Sequence, residues 1–171
     1  MEGRAGIVSL GVLLLVPVAC TLFLASCAGK RGGSEETSPG GLMDQAIADS
    51  LEAGVTLNAG GYAMDEPIKM RLEVVNTAGR AITLTFPSAQ RYDFIVKKGK
   101  QTIWQWSEGR MFAQVLGRYD LAPGDTISYE YKWDQTAGDG TKPGLGAYTF
   151  EGLLMISPPL KTERKTFGIV D

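Results

Sequence analysis

Ile68-Lys69-Met70-Arg71-Leu72-Glu73-Val74 alternates apolar and charged side chains without a break. A period of two puts the four apolar residues on one face of a strand and the charged residues on the other. The segment therefore predicts a sheet with one face in a core and one in water. The same period recurs on both sides of it. Upstream, Leu51, Ala53, Val55 and Leu57 alternate with Glu52, Gly54 and Thr56. Downstream, Ile82, Leu84 and Phe86 alternate with Thr83 and Thr85, followed by Tyr92, Phe94 and Val96 and by a short run from Ile103 to Trp106. Asn76-Thr77-Ala78-Gly79 and Lys98-Gly99-Lys100 read as turns between them. Pro123-Gly124-Asp125 leads into Ile127, Tyr129, Tyr131 and Trp133, and Pro143-Gly144 into Tyr148, Phe150, Leu154 and Ile156. The run from Leu153 is apolar on both faces, as a central strand requires, and Phe167 and Ile169 share a face near the C-terminus. These segments make about seven to nine short strands with no helical pattern. The class is all-β and the architecture an immunoglobulin-like antiparallel β-sandwich, with a small barrel as the alternative.

Ahead of the strands the composition changes twice. Arg4 precedes an apolar run from Ile7 to Leu24 that ends in Leu24-Ala25-Ser26-Cys27. The run is long enough for a bilayer core, so an uncleaved anchor is the competing reading. Gly11 and Pro17 interrupt it, small residues precede the cysteine, and a Gly/Ser-rich stretch follows where a basic stop-transfer flank belongs. The segment resembles a bacterial lipoprotein signal, with Leu24, Ala25 and Ser26 as its lipobox and Cys27 as the lipidated residue. Ala28 to Gly41 is built from residues that bury little apolar surface and reads as a tether. The expected organisation is a signal peptide over 1–26, the lipidated cysteine and tether over 27–50, and the β-sandwich over 51–171. The expected location is extracytoplasmic, with a lipid anchor in the cell membrane or outer membrane.

Composition excludes several kinds of chemistry. The chain has no histidine, so Ser-His-Asp and Cys-His nucleophile systems and His-ligated metal sites are absent. Both cysteines, Cys20 and Cys27, fall in the N-terminal segment, which leaves none for a disulfide in the sandwich. No spacing singles out a pair of catalytic carboxylates or a Ser-Lys pair, and no cofactor is expected. The formal charge is −2, and the densest basic group, Lys97-Lys98-Gly99-Lys100, sits at a turn, so no nucleic-acid partner is expected. The chain reads as a non-enzyme.

The densest group of interface-type residues is Ile103-Trp104-Gln105-Trp106-Ser107-Glu108-Gly109-Arg110-Met111-Phe112. Trp, Arg, Met and Phe anchor protein interfaces, and a glycine-containing bend would present them on a loop. Trp104, Trp106, Arg110, Met111 and Phe112 are the candidate partner-binding residues. The competing reading makes the tryptophans cover for the sandwich and Arg110 the partner of an acid. Asp134 and Asp139 fall in a second polar cluster that departs from the calcium-loop pattern and reads as a long turn. Tyr148, four residues after Gly144, fits a tyrosine corner, its hydroxyl bonding to an upstream backbone group.

Phe86 to Phe94, Trp104 to Phe112, Leu121 to Asp125, Trp133-Asp134 and Gly146 to Gly152 resemble, in order, the BsuPI family of intracellular proteinase inhibitors. The resemblance spans Leu51 to Val170, and its most specific block is the one with two tryptophans and Gly109-Arg110-Met111-Phe112. It implies an immunoglobulin-like domain that binds another protein, a serine protease in the type member, without chemistry of its own. Together with the export signal, the expected partner is an exported serine protease, bound through the loop from Trp104 to Phe112. The alternative is a structural or assembly module of the cell envelope that inhibits nothing.

Overall fold

A computed structural model describes residues 46–171; Cys27, the apolar run and most of the expected tether lie outside the described residues. The described chain opens with a helical turn at residues 46–48, and Ile47 packs against the core ahead of the first strand. No helix among the described residues is long and apolar enough to cross a membrane.

Two antiparallel layers carry the fold. The first contains β1 (Leu51–Leu57), β3 (Ile68–Asn76) and β8 (Thr126–Trp133), in the order β1-β3-β8. The second runs β2 (Gly61–Ala63), β11 (Lys165–Val170), β9 (Gly146–Leu154), β5 (Tyr92–Lys98) and β6 (Gln101–Gln105), with β10 (Leu160–Lys161) on the flank of β9. A separate ribbon pairs β4 (Ile82–Phe86) with β7 (Gly117–Leu121). Successive strands repeatedly change layer, so the sandwich is closed by long-range pairing. All pairs are antiparallel except β2 with β11.

The alternation of β3 is realised in its burial. Ile68, Met70, Leu72 and Val74 are buried, while Lys69 and Arg71 face solvent and Arg71 pairs with Glu73 and Glu130 at 3.0 and 3.5 Å. β9 is central in its sheet, between β11 and β5, and buries residues of both faces: Phe150 and Leu154 toward the core, Glu151 and Leu153 away from it. Glu151 is held by Lys97 Nζ at 2.6 Å and Arg164 Nε at 2.8 Å. Burial pushes its carboxyl up, but the hydrogen bonds and charges of Arg164 and Lys97 outweigh this and hold it below the usual glutamate range.

Buried polar side chains tie the ends of strands together. Asn76 Nδ2 donates to the carbonyls of Arg80 (2.9 Å) and Leu121 (2.8 Å), which fixes the start of the β4–β7 ribbon against the end of β3. Gln135 Nε2 donates to the carbonyls of Ala63 and Glu66, both at 2.8 Å, and so clamps the turn after β2. The Tyr148 hydroxyl donates to the Gly144 carbonyl, the corner expected from the sequence. Asp134 and Asp139 accept hydrogen bonds from Thr136 and Thr141 within their own turn.

The strand count departs from expectation, eleven among the described residues against the seven to nine read from the sequence. β2 and β10 are three and two residues long, too short for a period to register. β7 reads Gly-Arg-Tyr-Asp-Leu and buries only Leu121, so it carries no apolar alternation; its pairing with β4 creates it.

The two layers approach closely at Gly152 of β9. A Cβ there would sit 2.7 Å from Val55 Cγ1 and 3.3 Å from Leu72 Cδ1, both on the opposite layer. Gly152→Ala overpacks the core and is expected to destabilise the domain by about 1–3 kcal/mol, read from the urea midpoint at unchanged m-value; an unshifted midpoint would show that the layers separate freely at this point.

Candidate functional site

The site grows from one carboxylate. Asp93 alternates with Phe94 and Val96 on β5, so its side chain leaves the outer face of the sheet, yet it is 2% exposed. A buried charge of this kind is tolerable only when its lone pairs are filled. Oδ1 accepts from the backbone N–H groups of Phe94 (2.9 Å) and Ser107 (3.1 Å), and Oδ2 from Gln105 Nε2 (2.6 Å) and Ser107 Oγ (2.5 Å). All the donors other than Phe94 belong to residues 105–107, where the chain leaves β6. Charge-assisted bonds are the strong ones, so Asp93 fixes the point from which the following turn departs.

The turn itself is tied at several points. Trp106 N–H donates to the Phe94 carbonyl (2.9 Å), Glu108 N–H to Gln105 (3.1 Å) and Arg110 N–H to Ser107 (3.0 Å). Gly109 has φ +70°, a left-handed conformation that favours glycine, and it reverses the chain between these bonds. On the return leg the Ala113 carbonyl accepts from Ala89 N–H at 2.8 Å. Residues 106–116 form no strand, but both ends are fastened to the second sheet and its connections.

The candidate residues divide between packing and projection. Trp104, on β6, is half-buried and stacked against Tyr131 and Trp133 of β8, with ring centroids 5.4 and 5.5 Å apart. Trp106 is half-buried against Tyr92 (4.3 Å) and Phe112 (5.7 Å), and Tyr92 in turn stacks on Tyr129 (4.7 Å). Burial pushes the Tyr92 and Tyr129 hydroxyls up, with Arg110 and Arg91 respectively pulling the other way. Among the described residues Arg110 forms no ion pair with an acid: its Nε donates to the Trp106 carbonyl at 2.7 Å and its guanidinium lies 4.5 Å from the Trp106 ring centre. Met111 is 98% exposed. Just beyond it, Val115, Leu116 and Tyr119 are also exposed, at 62%, 60% and 50%.

Asp93, Tyr92 and Tyr129 were not singled out from sequence. Tyr92 and Tyr129 read as ordinary inward residues of alternating strands. Asp93 stands in β5 with no sequence signal of its own, and its side-chain donors, Gln105 and Ser107, are distant in sequence. No group of three or more His, Cys, Asp or Glu residues among the described residues is arranged to hold a metal ion.

Replacing Asp93 by Asn removes the charge and puts an amide donor among donors. Asp93→Asn is expected to cost roughly 1.5–3 kcal/mol and to shift tryptophan emission to the red as Trp106 loosens from Tyr92. Urea denaturation followed by fluorescence checks both, and an unchanged midpoint and emission would contradict the role given to the carboxylate.

No curated protein matches the chain. Among solved structures, a β-glucosidase from Erythrobacter marinus shares 12% identity over 71% of this chain and 15% of its own, with a TM-score of 0.43. An alkylpurine DNA glycosylase from Pseudomonas fluorescens shares 12% over 71% of this chain and 31% of its own, and the sporulation control protein Spo0M of Bacillus subtilis 12% over 71% and 50%, each with a TM-score of 0.44. The chain thus spans half or less of these structures, and likeness at this level carries no argument about function. The family comparison is different: residues 55–158 match the model of the BsuPI family, described as intracellular proteinase inhibitor. That description overturns the lipid-anchored, extracytoplasmic location expected from Cys27. The export reading rested on an apolar run whose n-region gains little positive charge, because Glu2 offsets Arg4. Cys27 itself lies outside the described residues. The match covers more than half of the chain, and the chain belongs to the BsuPI family of intracellular proteinase inhibitors.

Proposed function

We propose that the chain inhibits a serine protease by docking the turn of residues 106–112 against it, without chemistry of its own. The observation that carries this reading is the fastened turn in a member of an inhibitor family, with Met111 98% exposed at its outer end. Interfaces gain affinity when aromatic, Arg and Met residues are held ready before contact, because less side-chain and loop freedom is lost on binding. Here Trp106 and Phe112 form the half-buried base, Arg110 covers it, and Met111 stands clear. Val115, Leu116 and Tyr119 extend the exposed apolar surface along the return leg and would form its margin.

Trp104 has a different part. Sandwiched against Tyr131 and Trp133, it closes the edge between β6 and β8 and supports the base of the turn from below. Its effect on binding is indirect.

The test is a titration of the purified full chain against a panel of serine proteases, with cysteine proteases and metalloproteases alongside. Reversible inhibition of at least one serine protease, at a Kd of about 1 μM or tighter, is the expected outcome. Absence of inhibition across the serine panel, or binding that leaves hydrolysis untouched, would instead favour a non-inhibitory binding module.

A further inference from the structure

We infer that Met111 is the side chain the turn presents to the protease's primary specificity pocket, and that the target therefore has an apolar pocket rather than an acidic one. The inference deepens the inhibitory reading above and rests on it.

A pocket-filling residue has to project, and its neighbours have to be held so that projecting it costs little on binding. Arg110 is folded back: its N–H is bound to the Ser107 carbonyl, its Nε to the Trp106 carbonyl, and its guanidinium lies over the Trp106 ring and within 6.0 Å of the Tyr131 ring centre. Phe112 is half-buried on the other side of Trp106, 5.7 Å between ring centres. The next residue, Ala113, is fixed through its carbonyl to Ala89. Met111 is thus flanked by two side chains packed on one indole, while it is itself 98% exposed.

Its exposure has no structural benefit, since a side chain so open to water contributes no burial. Chemically, an unbranched thioether adapts to an irregular apolar cavity and offers no charge to a carboxylate. The one cation in the turn is Arg110, and releasing it to enter an acidic pocket would forfeit its bond to the Trp106 carbonyl and its contact with the indole. The geometry therefore selects against trypsin-type pockets and in favour of those that accept large apolar side chains.

The experiment uses the full chain carrying Met111→Leu, Met111→Asp or Met111→Lys, assayed against the protease that the wild type inhibits and against a trypsin-type enzyme. Thermal midpoints are expected to be unchanged, because the side chain is almost wholly exposed. Met111→Leu is expected to stay within about threefold of wild type, while Met111→Asp weakens inhibition by about 100-fold or more. Met111→Lys is expected to lose inhibition of the original target and gain it against the trypsin-type enzyme. If Met111→Asp inhibits as well as wild type, the assignment of Met111 is overturned while the inhibitory function stands. If wild type inhibits no protease at all, the functional reading itself fails.

Discussion

Asp93 ties the stability of the sandwich to the shape of its exposed turn. Its carboxylate is buried on the outer face of β5, and the hydrogen bonds from Gln105 and Ser107 that make burial tolerable also fix where the chain leaves β6. From that fixed point follow the placement of Trp106 on Tyr92, of Arg110 and Phe112 on Trp106, and the projection of Met111. The cost of an unfilled buried carboxylate gives the turn its definition without regular secondary structure.

The aromatic rings along β8 and β6 serve the fold first. Trp104, Tyr131 and Trp133 close one edge of the sandwich, and Tyr92, Tyr129 and Trp106 continue the layer toward the turn. The proposed inhibitory role depends on shape held in advance, and a layer of large, two-torsion side chains supplies rigid area at low entropic cost. Buried polar side chains serve the same end, since Asn76 and Gln135 tie strand ends and turns and the donors to Asp93 fix the exit from β6.

Legibility followed physical reach. Where a residue's role depends on its own strand, as for Ile68 to Val74 or for Leu153 on central β9, period and composition were enough, and the Tyr148 corner was visible from its spacing to Gly144. Where the role depends on a partner distant in sequence, they were not. β7 has no alternation and exists because β4 pairs with it, and Asp93 gains its place only when Gln105 and Ser107 are brought over it. The candidate turn was legible as a cluster of residue types, but not which of its members pack and which project. Location was misread: an apolar run before a cysteine pointed to export, whereas the family is described as intracellular.

The central claim is that the turn is rigid before any partner arrives. Backbone amide order parameters of the free chain from nitrogen-15 relaxation test it directly. Ser107, Arg110 and Met111 are expected at about 0.85, the level of the flanking strands. Values below about 0.6 for these amides would mean that the Asp93 network does not order the turn, and the account of a preformed inhibitory surface would be wrong.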